Sequence, residues 1–129
     1  MSQIQFTILS KPVSVNSAYQ QSKFGRRFLS AEGKEFKRAV FYSLAGKRLE
    51  FEALKLDSEP LAMNLYFFFP AVYNLDGSIK KIDVSNYIKI TEDAICFALG
   101  YDDSRHFSVT ARKLLDRANP RIVVYLSTI

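Results

Sequence analysis

The sequence predicts an α+β domain, with a mixed or mainly antiparallel sheet of about four strands and two main helices on one face. Three observations carry this. Ile4, Phe6 and Ile8 alternate with polar residues, the period of a half-buried strand. Phe36, Val40 and Leu44 recur at helical spacing. Phe107–Leu115 and Arg121–Thr128 close the chain with two further strand patterns. The chain has 129 residues, the size of one domain, and no linker divides 1–129.

Taken in order, Gln3–Leu9 reads as the first strand. Lys11–Leu29 has no period and reads as a long loop, in which Lys11, Lys23, Arg26 and Arg27 interleave with Tyr19, Phe24 and Phe28. Basic and aromatic residues together suit phosphate contact and base stacking. Ser30 caps a helix from Ala31, which Gly46 can end, leaving Lys34, Lys37 and Arg38 to face solvent or a ligand. Leu49–Asp57 is ambiguous between helix and strand. Leu61–Phe69 reads as a buried strand whose Tyr66 and Phe68 need a cover other than the core, a partner subunit being one. Tyr73–Ile82 is a second loop ending in Lys80-Lys81. A second helix runs from about Val84 to Leu99, with Asp83 as N-cap and Gly100 as its stop. Asp116–Pro120 reads as a hairpin loop between the last two strands.

Apolar residues make up 48% of the chain and charged residues 24%, which argues against extended disorder and a disulfide scaffold. The near-apolar run Leu61–Tyr73 is too short for a membrane-spanning helix, and the N-terminus lacks a signal-peptide pattern. The single cysteine, Cys96, fits a reducing, cytoplasmic setting. The net charge of +5 is unevenly spread: residues 1–48 hold nine basic side chains against two acidic ones. A basic front half points to a polyanionic partner, nucleic acid being the commonest.

The chemistry concentrates on the second helix. Asp83, Asn86, Lys89 and Asp93 share one stripe; relative to Asn86 the others lie at about +60°, −60° and −20°. A solvated face with a Lys89–Asp93 pair would look the same. Asp102-Asp103, just past Gly100, is harder to explain that way: the two acids repel each other and oppose the negative end of the helix dipole. A hard cation such as Mg²⁺ would relieve the repulsion. Asp83 and Asp102-Asp103 flank a helix about 24 Å long, so they can converge only if the chain turns back after Gly100 or a second subunit takes part.

These motifs resemble the RusA family of Holliday junction resolvases. The resemblance rests on Pro12, Ser14, Asn16 and Tyr19; on the basic stretch Arg26-Arg27-Phe28-Leu29-Ser30-Ala31-Glu32-Gly33 with Phe36 three residues on; and on Asp83-Val84-Ser85-Asn86-Tyr87-Ile88-Lys89, followed by Asp93 and Asp102-Asp103. It implies a homodimeric endonuclease that needs Mg²⁺, with Mn²⁺ an alternative, and that cuts four-way DNA junctions in recombination and repair, in a bacterium at the nucleoid. It implies metal positions at Asp83 and Asp103 with Asp102 beside them, a catalytic lysine at Lys89, and supporting roles for Asn86 and Asp93. Lys11, Asn16, Tyr19, Lys23, Arg26, Arg27, Lys34, Lys37, Arg38, Lys80 and Lys81 are the expected DNA contacts. The chain departs from the family at one point: Ser85 stands where the family has its second acid. A serine hydroxyl can ligate Mg²⁺ or hold one of its waters but brings no charge. Another acid, Glu92 or Asp93, substitutes, or the metal is held weakly, or the protein binds junctions with weak or lost cleavage. His106 reads as a surface or strand-edge residue and Cys96 as structural.

Overall fold

The computed structural model of the chain describes residues 3–53 and 58–129. Its elements are β1 (Gln3–Ile8), α1 (Val15–Ala18), β2 (Tyr19–Gln21), β3 (Arg27–Leu29), α2 (Ala31–Ser43), α3 (Lys47–Ala53), β4 (Leu61–Phe69), α4 (Ser85–Leu99), β5 (His106–Leu115) and β6 (Arg121–Thr128). A mixed four-stranded sheet runs β1-β6-β4-β5, antiparallel except for the parallel β4/β5 pair. Strands β2 and β3 form a separate antiparallel ribbon.

The core follows from the period of two in β4. Leu61, Met63, Leu65, Phe67 and Phe69 are buried, and the residues between them are only half so. Ile4, Phe6 and Ile8 of β1 and Ile122, Val124 and Leu126 of β6 join the same cluster, together with Phe36 and Val40 of α2 and Ile90 and Ile95 of α4.

Several expectations need correction. The Lys11–Leu29 segment is not an irregular loop: Ser14 caps the short α1, accepting from the Ser17 N–H, and Gly25 (φ 82°) sits between β2 and β3. Both elements are too short to leave a readable period in the sequence. Helix α2 ends at Ser43 with Leu44 as its C-cap, so Gly46 lies in the turn to α3, and Lys47 pairs with Glu50 at 2.9 Å there. Residues 49–53 are helical, and the rest of the ambiguous stretch, 54–57, lies outside the described residues. Helix α4 starts at Ser85, with Val84 rather than Asp83 at the N-cap and no side-chain cap bond. Strands β5 and β6 are not a hairpin, because β4 lies between them. Their loop arches over the end of β4, the Asp116 N–H donating to the Phe69 carbonyl at 2.9 Å. An apolar central strand saturates ladder positions on both of its edges, which a two-strand reading overlooks.

The Ser30–Gly33 segment locks this architecture. The Ser30 hydroxyl accepts from the Gly33 N–H at 3.0 Å and donates to the Ser17 carbonyl at 2.6 Å. The Ser30 N–H donates to the Ala18 carbonyl at 2.8 Å. A Cβ at Gly33 would lie 2.2 Å from that carbonyl oxygen, so only glycine lets α2 and α1 approach this closely.

Candidate functional site

Helix α4 presents Lys89 and Asp93 outward, one turn apart. At its end Gly100 adopts a left-handed conformation (φ 78°) and the chain reverses. Asp102 caps the following 3-10 turn, Asp103–Arg105, bonding to the Ser104 N–H and hydroxyl. This reversal brings Asp103 against the Lys89 ammonium in a short hydrogen bond. Lys89 Nζ also lies 2.9 Å from Asp93 Oδ1 and 3.5 Å from Glu92 Oε1. Hydrogen bonds to Asp103 and then Asp93 push the Lys89 pKa well above its ordinary value, so it stays cationic. Glu92, Asp93 and Asp103 each place a carboxylate oxygen within 4.8 Å of the others. Three carboxylates around one ammonium leave a local excess of negative charge.

Glu92 is held from behind. Its side chain is 12% exposed, and its Oε2 lies 2.7 Å from Nδ1 of His106, whose side chain is 1% exposed. A carboxylate accepts, so Nδ1 carries the proton and donates. The opposite ring nitrogen, Nε2, lies 2.6 Å from the Tyr101 hydroxyl. Burial drives the Tyr101 pKa far up, so the hydroxyl keeps its proton; its ring stacks on Phe51 at 5.0 Å between centroids. A register shift at the start of β5 pairs Leu61 with His106 and Ala62 with Ser108, skipping Phe107. That bulge turns both His106 and Val109 inward, while Phe107 stays exposed. His106, expected at the surface or a strand edge, is the first residue of the edge strand β5, and its side chain is a buried bonding partner of the carboxylate cluster. Glu92 was readable only as an alternative acid. Of its neighbours one turn away, Ile88, Ile95 and Cys96 are apolar and Lys89 reaches only one of its oxygens, so the other needs a partner.

Asp83 and Asp102 are not members of the three-carboxylate group. The Asp83 carbonyl accepts the Asn86 N–H at 2.9 Å, and Ser85 is exposed at the first position of α4. Hydrogen bonds from Ser104 lower the Asp102 pKa, keeping it ionised. Among the expected DNA contacts, Tyr19 and Arg27 join Lys89 and Asp93 around one cleft, and Asn16 joins Tyr19 and Arg27 around the next. The Arg27 guanidinium lies 4.3 Å from the Tyr19 ring centroid. Lys34, Lys37 and Arg38 line a larger cleft beside α4. Lys23 and Arg26 are at the ribbon's turn, Lys80 and Lys81 precede Asp83, and Lys11 lines a separate cleft with Glu32 and Glu35.

A family model described as Endodeoxyribonuclease RusA matches residues 10–127, nearly the whole chain. The chain belongs to the RusA family. RusA membership places it among the junction-resolving endonucleases, which act on branched DNA and generally depend on a divalent metal. A search of the curated proteins finds no match. Among the described residues, no helix is long and apolar enough to cross a membrane. The RusA match spans the ribbon, the carboxylate cluster, β4, β5 and all but the last residue of β6, and leaves β1 outside.

Proposed function

We propose that the chain is a Mg²⁺-dependent endonuclease that resolves four-way DNA junctions as a homodimer, acting in the cytoplasm on recombination and repair intermediates. The observation that carries this reading is the convergence of Asp103, Asp93 and Glu92 on Lys89. The donor set fits a hard cation: three carboxylates place oxygens within 4.8 Å of one another, and the His106 imidazole bonds to the far oxygen of Glu92. Asp103 and Glu92 would hold the metal; Asp83, Asp102 and the Ser85 hydroxyl, the further ligands the resemblance implies, are not among the clustered carboxylates. When bound, the cation would neutralise phosphate charge and activate a water for phosphodiester hydrolysis.

The remaining work falls to the chain's own residues. Lys89, kept cationic by its acidic neighbours, donates to the phosphate as negative charge develops on it. Asp93 orients that ammonium, and Asn86 orients a neighbouring ligand from the same stripe. The basic side chains along the clefts grip backbone phosphates, which positions DNA without reading its sequence and so suits recognition of a branch. The homodimer is carried over from the RusA resemblance; a second copy would cover the outward face of the sheet, where Tyr66 and Tyr125 meet edge-on at 5.5 Å and Arg121 lies 3.9 Å over Phe68. Weak or lost cleavage is favoured by one observation, the uncharged Ser85 in the family's acidic position.

The test incubates the protein with a synthetic four-way junction and a matched linear duplex, in Mg²⁺ or EDTA. Symmetric, Mg²⁺-dependent cutting of the junction alone is the expected result. Junction-selective binding without cutting supports the binding-only alternative. Equal affinity for both DNAs at modest salt overturns both readings.

A further inference from the structure

Phe97 of α4 and Phe41 of α2 are 59% and 47% exposed, and Tyr42 beside Phe41 lines the same cleft and is exposed as well. The Phe41 and Phe97 ring centroids are 6.4 Å apart, and with Lys34, Lys37 and Arg38 they line a cleft of about 460 Å³. Large exposed aromatics side by side signal a binding surface. Three cations on one wall disfavour an apolar protein partner, because each would be desolvated without an acid to meet it. A polyanion with flat aromatic faces satisfies both halves of the cleft at once.

The position supports the same occupant. Lys89, Asp93 and Phe97 follow one another at i, i+4 and i+8 along α4. That spacing sets Phe97 about 12 Å from Lys89 along the helix axis. A smaller cleft lined by Tyr19, Lys37, Asp93 and Phe97 joins the two ends. At about 3.4 Å per stacked nucleotide, 12 Å is three to four nucleotides, or fewer in an unstacked strand. Lys37 Nζ rests 4.1 Å from the Phe97 ring centroid, a surface contact weak enough to yield to a phosphate.

We propose that the Phe41–Phe97 cleft is a nucleobase-stacking subsite, which takes an unpaired base of the strand whose phosphate lies at Lys89, with Lys34, Lys37 and Arg38 on the adjoining phosphates. The proposal rests on the nuclease reading above and deepens it: the subsite favours branched DNA, whose bases near the crossover unstack readily, over continuous duplex.

The test places 2-aminopurine singly at successive positions around the crossover of a four-way junction and follows its fluorescence on binding in EDTA. In the unaltered protein the signal changes at a position about three nucleotides from the phosphate that is cut in Mg²⁺. Phe97→Leu and, separately, Phe41→Leu lose that change, and junction affinity falls between about 5- and 150-fold while duplex affinity holds. Phe97→Trp restores both. Leucine variants that keep the wild-type thermal melt, fluorescence pattern and affinity overturn the subsite while leaving cutting, and so the nuclease reading, intact. A Phe97→Leu protein that sediments as monomers where the unaltered protein is a dimer also overturns it, since the cleft is then a contact between copies. An unaltered protein that neither binds nor cuts junctions overturns the nuclease reading and the subsite together.

Discussion

His106 Nδ1 lies 2.7 Å from Glu92 Oε2, and the other oxygen of the same carboxylate lies 3.5 Å from Lys89 Nζ. Glu92 thus bridges a buried imidazole and an exposed ammonium. Its carboxylate cannot rotate away without breaking a contact at each end. A helix and a strand bulge cooperate to build this bridge, which gives the cluster a third, fixed carboxylate beside Asp93 and Asp103.

Removing the imidazole should leave a nearly buried carboxylate with half its partners. His106→Leu is expected to lower stability by about 3 kcal/mol in urea melts, because the charge is stranded rather than merely unbonded. Glu92→Gln should cost less, since an amide oxygen still accepts from Nδ1–H. The double variant should cost less than the two single losses added, and additive losses would show that the pair is not coupled. Glu92→Gln should also weaken Mn²⁺ binding about tenfold or more, as read by titration calorimetry.

Lys89→Ala removes the ammonium that three carboxylates share, on a side chain that is 62% exposed. Stability should move little. Cutting of a four-way junction in Mg²⁺ should fall about 100-fold or more, with binding in EDTA largely kept. Asp103→Asn should give the same split between lost cutting and retained binding. Unchanged cutting by either variant removes that residue from the reaction.

How much of this was legible beforehand depends on sequence distance. Ser30 as a cap, the outward Lys89–Asp93 pair of α4 and the alternation of β4 are local patterns, and each stands in the structure as read, while Asp83 of the same stripe precedes the helix. The meeting of Asp103 with Lys89 was foreseen only as a need for a turn after Gly100. Composition gives the chain's ability to turn there but not where the turn aims. The β4 position between β5 and β6 is a choice among pairings that all satisfy the same alternation. The strand-edge position of His106 follows from the sequence, but the burial of its side chain depends on one skipped residue in β5, and a bulge has no signature in the residues that form it. The Glu92 partner could not be named without that bulge.

Cys96 gives an independent check on the packing of α4. It is 7% exposed, and burial pushes its thiol pKa up to about 12. The folded thiol should therefore resist iodoacetamide at pH 8, while protein in urea reacts at once; mass spectrometry counts the adducts. The same shift makes folding sensitive to alkali. The unfolded chain releases this proton above its ordinary 9.0 and the folded chain retains it until about 12. The contribution is thus fully present below pH 9 and is lost as pH rises through that window. Rapid alkylation of the folded protein would show that α4 opens locally far more often than its core contacts imply.

Gly33→Ala tests whether the Ser30–Gly33 segment serves architecture or DNA contact directly. Alanine is the better helix former by about 1 kcal/mol, so an isolated α2 would gain. In the fold the new Cβ meets the Ala18 carbonyl oxygen at 2.2 Å and the Ala18 carbonyl carbon at 3.0 Å. Backbone cannot swing aside as a side chain can. Helix α1 must move, carrying Asn16 and the start of the β2–β3 ribbon with Tyr19. The strain should outweigh the propensity gain and leave a net loss of about 1–2 kcal/mol in thermal melts. Junction affinity should fall with it, because Tyr19 and Arg27 leave the cleft they share with Lys89 and Asp93. Mn²⁺ binding, which depends on α4 and the turn after it, should hold. A variant that melts like the unaltered protein would mean that α1 yields without strain. Loss of metal binding along with affinity would mean that the clash propagates into the carboxylate cluster rather than stopping at the ribbon.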